Sequence, residues 1–236
     1  MNAIIERTKR TIKFLDTNFY SVILITLIIL NVAPILAPIL AALKLTWPAQ
    51  AIYFVYSFFC HQLDWRSLHA FDFQYAWCVR DTFIWLNLLV IGLMVRKYRI
   101  KPLKWYWLVP FVVPIALDGG IQTIATVIGF VNAEPFYIST NFTRMITGAI
   151  FGIGFGLWIM TNMWEAGNYV ENRKIFNWNI IKLTCVMVML NFILYLGLVS
   201  FWNWTSIQNK PSNFLDYSVK TPVKTEDWLI RRAHGV

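Results

Sequence analysis

Long apolar runs constrain this chain more than any other feature. About 20 consecutive apolar residues match the thickness of a bilayer's hydrocarbon core, where only helices and closed barrels satisfy their own backbone. Such runs lie at about 19–43, 77–95, 105–130, 142–164 and 180–202. The expected fold is therefore an all-α integral membrane protein with about five transmembrane helices. Composition agrees: 58% of the 236 residues are hydrophobic and 14% are charged, against about 25% charged in soluble domains. The 12 Trp and 10 Tyr suit the aromatic belts of a membrane protein. A net charge of +9 reads here as basic cytoplasmic loops, and nucleic acid is not an expected partner.

The first run contains Pro34 and Pro38, which should bend it, with neighbouring helices covering the freed carbonyls. Ala49-Gln50-Ala51 follows in the manner of a signal-peptide cleavage site. The run exceeds the roughly 7–15 residues of a signal h-region, so it reads as an anchor. The apolar, aromatic stretch at about 51–60 is too short to cross and reads as an interfacial or re-entrant helix.

Basic residues orient the spans. Arg7, Lys9, Arg10 and Lys13 precede the first; Arg96, Lys97, Arg99, Lys101 and Lys104 follow the second; Arg173 and Lys174 follow the fourth. These loops share a side when the chain crosses five times, and that side reads as cytoplasmic. Residues 1–18 are then a cytoplasmic segment, and 19–202 form the transmembrane domain of a cytoplasmic-membrane protein. The loop from Cys60 to Asp81 lies outside, as does a polar tail at 203–236. Ser139, in the second outer loop, should be open to aqueous labels.

Polar residues converge on that outer side. The first outer loop holds Cys60, His61, Arg66, His69, Cys78, Arg80 and Asp81. In the third span Pro110, Pro114, Asp118, Gln122 and Thr126 recur every four residues on one face. Ionisable groups inside a span usually face a bundle interior or a wet cavity. Gly119-Gly120 beside Asp118 allows a close approach. The fourth span begins with Asn141, Arg144 and Thr147, above Gly148, Gly152 and Gly156, a small-residue packing stripe. Asp118 and Arg144 are expected to interact. Cys185, inside the fifth span, reads as a buried apolar thiol.

These residues follow a pattern: Cys60-His61-Gln62, Arg66-Ser67, Cys78 with Arg80, Asp118-Gly119 with Gln122, then Asn141, Arg144 and Thr147-Gly148. It resembles a family of predicted prokaryotic membrane proteins catalogued as domain of unknown function 2085. The resemblance covers roughly residues 55–155 and implies no particular activity. Its members often carry a further Cys directly after Cys-x-Arg; this chain has Asp81 there.

Three chemistries suit these residue types. Cys60, His61 and Cys78, with Asp81, Asp118 or His69, offer the N, S and O ligands of zinc or another transition metal. Arg66, Arg80 and Arg144, with Gln122 and Asn141, offer a bidentate clamp for a phosphate-bearing lipid head or other anion. If the protein is a membrane enzyme, Cys60, His61 and Asp118 are the catalytic candidates; the Cys60-to-Arg66-Ser67 spacing also matches Cys-dependent phosphatases, though without their glycines. Alternatively, Cys60 and Cys78 close a disulfide worth about 3 kcal/mol. The protein is then a non-enzymatic accessory or assembly subunit that partners other membrane subunits. A transporter built from repeated halves has no visible repeat to support it.

Overall fold

The computed structural model describes residues 2–98, 100, 102–132, 137–166 and 179–206. Its elements are α1 (Asn2–Ala42), α2 (Thr46–Ser57), a two-stranded hairpin of β1 (Ser67–Ala70) and β2 (Phe73–Cys78), α3 (Val79–Lys97), α4 (Val109–Asn132), α5 (Asn141–Ala166) and α6 (Ile180–Thr205). Single 3-10 turns at Asp64–Arg66 and Trp105–Leu108 lead into β1 and α4. Four segments are long and apolar enough to cross a membrane: Asn18–Ala42, Trp105–Ala125, Asn141–Ala166 and Ile180–Thr205. The 19-residue α3 is the fifth long helix of the bundle. Arg80 and Asp81 in its first turn, and Arg96 and Lys97 in its last, confine its apolar part to the middle. The first helix takes in the polar N-terminal segment as well, so it starts well before residue 19.

Helix α3 is the centre of the bundle. The stripe Gly148, Gly152 and Gly156 on α5 packs directly on its backbone. A Cβ on Gly148 would lie 2.6 Å from the Arg80 carbonyl oxygen, and one on Gly152 would lie 2.8 Å from that of Ile84. On Gly156 it would meet Ile91 Cβ at 3.2 Å. Backbone cannot swing aside as a side chain can, so these three positions fix how closely the helices approach. On its other faces α3 meets α1 and α6. Tyr20 Oη donates to the Gly92 carbonyl at 2.9 Å. Asn87 and Asn191 exchange side-chain amide hydrogen bonds at 3.1 and 3.0 Å across α3 and α6. The apolar runs concealed this buried amide pair.

The stretch between α1 and α3 runs back down the bundle. It does not cap it as an outer loop would. Helix α2 turns back along α1, and Tyr56 Oη reaches the carbonyls of Ile29 and Leu30 at 3.3 Å. Trp77 Nε1, at the end of the hairpin, donates to the same Leu30 carbonyl at 2.9 Å. Leu30 is the residue whose helical donor would be the N–H of residue 34, which is proline and has none. The expectation that neighbours cover the carbonyls freed by proline is met at this position. Leu30 is twelve residues before the end of α1, about 18 Å down the helix. Helix α2 thus folds back along α1, the course of a re-entrant segment. Phe58 and Phe59 at its tip are 72% and 70% exposed, as a lipid-facing surface requires.

A re-entrant chain has to satisfy its non-helical backbone without water. Side chains do so here. Gln62 Nε2 donates to the Tyr53 carbonyl at 2.8 Å, Gln74 Nε2 to the Gln62 carbonyl at 3.1 Å, and Tyr53 Oη to the Gln74 carbonyl at 2.6 Å. The hairpin turn Phe71-Asp72 has both φ angles positive, 53° and 63°, as a two-residue turn matching strand twist requires. The end of α6 holds it: Phe71 N–H donates to Thr205 Oγ1 at 3.2 Å, and Ser206 Oγ donates to the Asp72 carboxylate.

Cys185 is exposed, not buried as expected. It lines an apolar cleft of about 730 Å³ between α4, α5 and α6, with Trp107, Phe111, Ile150 and Phe192. In that bundle position a thiol faces outward because α6 buries its opposite face, with Leu183, Met187, Asn191 and Tyr195.

Gly148→Ala should destabilise the protein by about 1–3 kcal/mol, because the new methyl meets backbone. Gly197→Ala, where nothing lies within 4 Å, should not destabilise it and should gain up to about 1 kcal/mol from the helix preference of alanine. Unfolding in mild detergent, followed by tryptophan fluorescence, checks both.

Candidate functional site

The glycine contact sets the first functional side chain. With Gly148 against its backbone, Arg80 at the start of α3 extends towards α4. Gly119 makes room: a Cβ there would lie 3.3 Å from Arg80 Nη1. The Arg80 guanidinium pairs with the Asp118 carboxylate. Two further donors complete that carboxylate, Tyr137 Oη at 2.6 Å and Ser139 Oγ at 2.9 Å. Burial, and then the bond to Asp118, push the Tyr137 hydroxyl above its usual pKa. Ser139 is 0% exposed, so it is not the accessible loop position expected of it. The segment before α5 folds down onto Asp118, and Ile138, 44% exposed, faces outward instead.

Arg144 lies one turn into α5 and is 2% exposed. It does not bond Asp118, as the sequence had suggested. Arg80 takes that carboxylate, and Arg144 turns to neutral acceptors. Its Nη1 donates to Asn141 Oδ1 at 3.1 Å. With the Gln122 amide turned so that its oxygen faces both guanidinium groups, that oxygen accepts from Arg144 Nη2 at 3.2 Å and from Arg66 Nη2 at 3.0 Å. Trp65 adds a π face, with Arg66 4.3 Å and Arg144 4.8 Å from its ring centroid. Burial lowers the Arg66 pKa, and the neighbouring Arg80 lowers it further.

The charge balance here is uneven. Of the three guanidinium groups, Arg80 bonds the Asp118 carboxylate, whereas Arg66 and Arg144 bond the neutral side chains of Gln122 and Asn141. Arg66 Nε and Arg80 Nε are buried without a hydrogen-bond partner among the described residues. Buried cations normally recover their desolvation cost from an anion. Gln122 and Trp65 supply only partial negative charge.

Beside this cluster lie the thiols. Cys60 and Cys78 are both free. Cys60 Sγ accepts from the Cys78 N–H at 3.3 Å. Cys78 caps α3: its sulfur accepts from the Asp81 N–H at 3.4 Å and donates to Asp81 Oδ2 at 3.1 Å. The Cys78 side chain beside it is the main cause holding the Cys60 pKa below the ordinary thiol value, against the opposing effect of burial.

The expected metal set of Cys60, His61, Cys78 and Asp118 is not assembled as such. Cys60 is buried while His61, the next residue, is exposed. Asp118 is committed to Arg80, Tyr137 and Ser139. Asp81 joins the two cysteines instead. His69 is elsewhere: its Nε2 lies 2.7 Å from Asp64 Oδ1 and its ring stacks on Trp202 at 4.4 Å. Of the anion set, Arg66, Arg80, Gln122, Asn141 and Arg144 are brought together. Trp65, Tyr137 and Ser139 were missed, and their spacing in the chain carries no signal for their role.

A family profile described as "Predicted membrane protein (DUF2085)" matches residues 60–158, the stretch that supplies nearly every residue of this site. The "Uncharacterized protein MJ1492" of Methanocaldococcus jannaschii is 32% identical over 158 residues, covering 62% of this chain and 94% of that protein. No solved structure matches the chain.

If Asp118 serves Arg80, the two should be coupled. Asp118→Asn and Arg80→Gln should each cost roughly 3 kcal/mol, and the double variant much less than the sum. Asp118→Asn with Arg144→Gln should be closer to additive. Chemical unfolding of the two double-mutant cycles distinguishes the pairings.

Proposed function

The chain belongs to the family of predicted membrane proteins designated domain of unknown function 2085, and we propose that its arginine cluster binds the phosphate of an anionic lipid headgroup. One observation carries this reading: three guanidinium groups, buried Arg144 and half-buried Arg66 and Arg80, converge on Gln122 and Asp118, and only Arg80 pairs with the carboxylate. A phosphate dianion or monoanion accepts several charge-assisted hydrogen bonds at once, and guanidinium groups match its oxygens bidentately. Arg66 Nε and Arg80 Nε are donors with no acceptor among the described residues. Asp118 orients Arg80 and repels a second anion from its own side of the pocket.

Position favours a lipid over a free ion. The hairpin next to Arg66 is anchored to the middle of α1's apolar segment, not to its end. Asp118 lies about 10 Å from the end of the apolar part of α4, and Arg80 and Arg144 stand at or near the first turns of α3 and α5, at the level where a headgroup meets the hydrocarbon. A headgroup drawn in from the leaflet reaches such a site by sliding between helices. In the proposed orientation the leaflet is the outer one, since Arg96 and Lys97 lie at the end of α3 opposite the hairpin. A cysteine at Ile138 would then react with an impermeant maleimide in intact cells; reaction only after permeabilisation reverses the orientation.

The binding test uses the full chain purified in mild detergent. Mass spectrometry of the extracted lipid should find a phospholipid or prenyl phosphate in about one-to-one ratio. Arg66→Gln and Arg144→Gln should lose most of it, while Arg96→Gln, at the opposite end of α3, should retain it. Wild-type protein that carries no phosphate-bearing lipid, or an Arg144→Gln variant that carries as much, rules the reading out.

A further inference from the structure

We propose that Cys60, Cys78 and Asp81 form a binding site for a zinc-class divalent cation. This inference does not rest on lipid binding. The three residues come from separate segments: the stretch just beyond α2, the last position of β2, and the first turn of α3. Their two sulfur atoms and a carboxylate oxygen all lie within 4.8 Å of one another. Ligands of a tetrahedral zinc, at about 2.3 Å for sulfur and 2.0 Å for oxygen, stand roughly 3.5–3.8 Å apart. Binding would draw the three ligand atoms together by up to about 1 Å.

The surroundings suit metal-bound thiolates. Each sulfur accepts a backbone N–H, Cys60 from Cys78 and Cys78 from Asp81, at 3.3 and 3.4 Å. Outer hydrogen bonds of this kind orient ligands and spread their charge. The N-terminus of α3 adds the positive end of its dipole at Cys78 and Asp81. Two thiolates and a carboxylate around a divalent cation carry a net charge of −1. Arg66 lies near enough to feel both sulfurs electrostatically and so balances it. Cys60 is 7% exposed, which shields the centre from bulk water. Three protein ligands leave a fourth position for water or a small anion, the arrangement of reactive rather than purely structural zinc.

Position 81 decides the chemistry of the site. Oxygen in place of a third sulfur makes the centre harder, and its ligand more easily displaced, than a three-cysteine centre. His61 takes no part, because it faces away from Cys60.

Cobalt(II) is the probe, added to the full-length, reduced, detergent-purified chain. Binding should give a thiolate-to-cobalt charge-transfer band at one equivalent, displaced by zinc. Cys60→Ser and Cys78→Ser should lose the band, while His61→Ala keeps it. Asp81→Cys, which replaces one half-buried ligand and keeps the backbone N–H that caps Cys78, should intensify the band and tighten zinc binding. Absence of binding by the folded, reduced wild type overturns the proposal. So does a band that survives Cys60→Ser, or an Asp81→Cys variant with unchanged absorption. Acid-quenched cells containing protein with Cys185 as its one alkylatable thiol also overturn it, since a Cys60–Cys78 disulfide excludes the metal.

Discussion

A carbonyl with no donor is expensive in a place without water, and the re-entrant half of this structure follows from one of them. Pro34 has no N–H to give Leu30. Trp77 and Tyr56 supply the donors instead. One lies at the end of the hairpin and the other near the end of α2, so both elements are drawn to the middle of α1. Cys60 lies three residues beyond α2 and Cys78 follows Trp77 directly. The thiols meet because their neighbours compete for the same acceptor. Gln62, Gln74 and Tyr53 then satisfy the remaining carbonyls of the segment. Side chains that look merely polar in the sequence are what allow a strand pair to exist at this depth.

Helix packing places the other half of the site. The glycine stripe of α5 holds α3 at backbone contact distance, which sets Arg80 beside Gly119 and Asp118. The same stripe continues upward to Arg144, so the two arginines come from facing helices at nearly one level. Arg66 enters from the hairpin side and shares Gln122 with Arg144. Structure and charge therefore pull in different directions. Packing brings three cations together, and Asp118 pairs with one of them. A protein that bears that cost for stability alone would do better with apolar residues of similar volume. Binding an anion gives the cost a use.

Much of this was legible in the chain. Apolar runs locate the long helices, the proline positions forecast covered carbonyls, and the four-residue spacing of Gly148, Gly152 and Gly156 announces a packing face. The convergence of Arg66, Arg80, Gln122, Asn141 and Arg144 was also readable, because each sits at the same end of its helix or loop. Partner choice was not readable. Asp118 faces both Arg80 and Arg144 in any helical-wheel argument, and only the gap at Gly119 selects Arg80. The hairpin was hidden because its turn is Phe71-Asp72, without the usual glycine or asparagine, and is held in place by the end of α6. Cys60-His61 suggested a ligand pair, yet adjacent residues in a non-helical segment point to different sides, and His61 is left exposed.

The central claim is that a phosphate group sits among these guanidinium groups. Solid-state NMR of the ¹⁵N-arginine-labelled protein in phospholipid bilayers measures it directly, through phosphorus-to-nitrogen dipolar couplings. Strong short-range coupling is expected to the side chains of Arg66 and Arg144, both hydrogen-bonded to oxygens of one phosphate. Coupling confined to Arg96 and the other basic residues at the far end of the bundle, with none at Arg66 or Arg144, would contradict it.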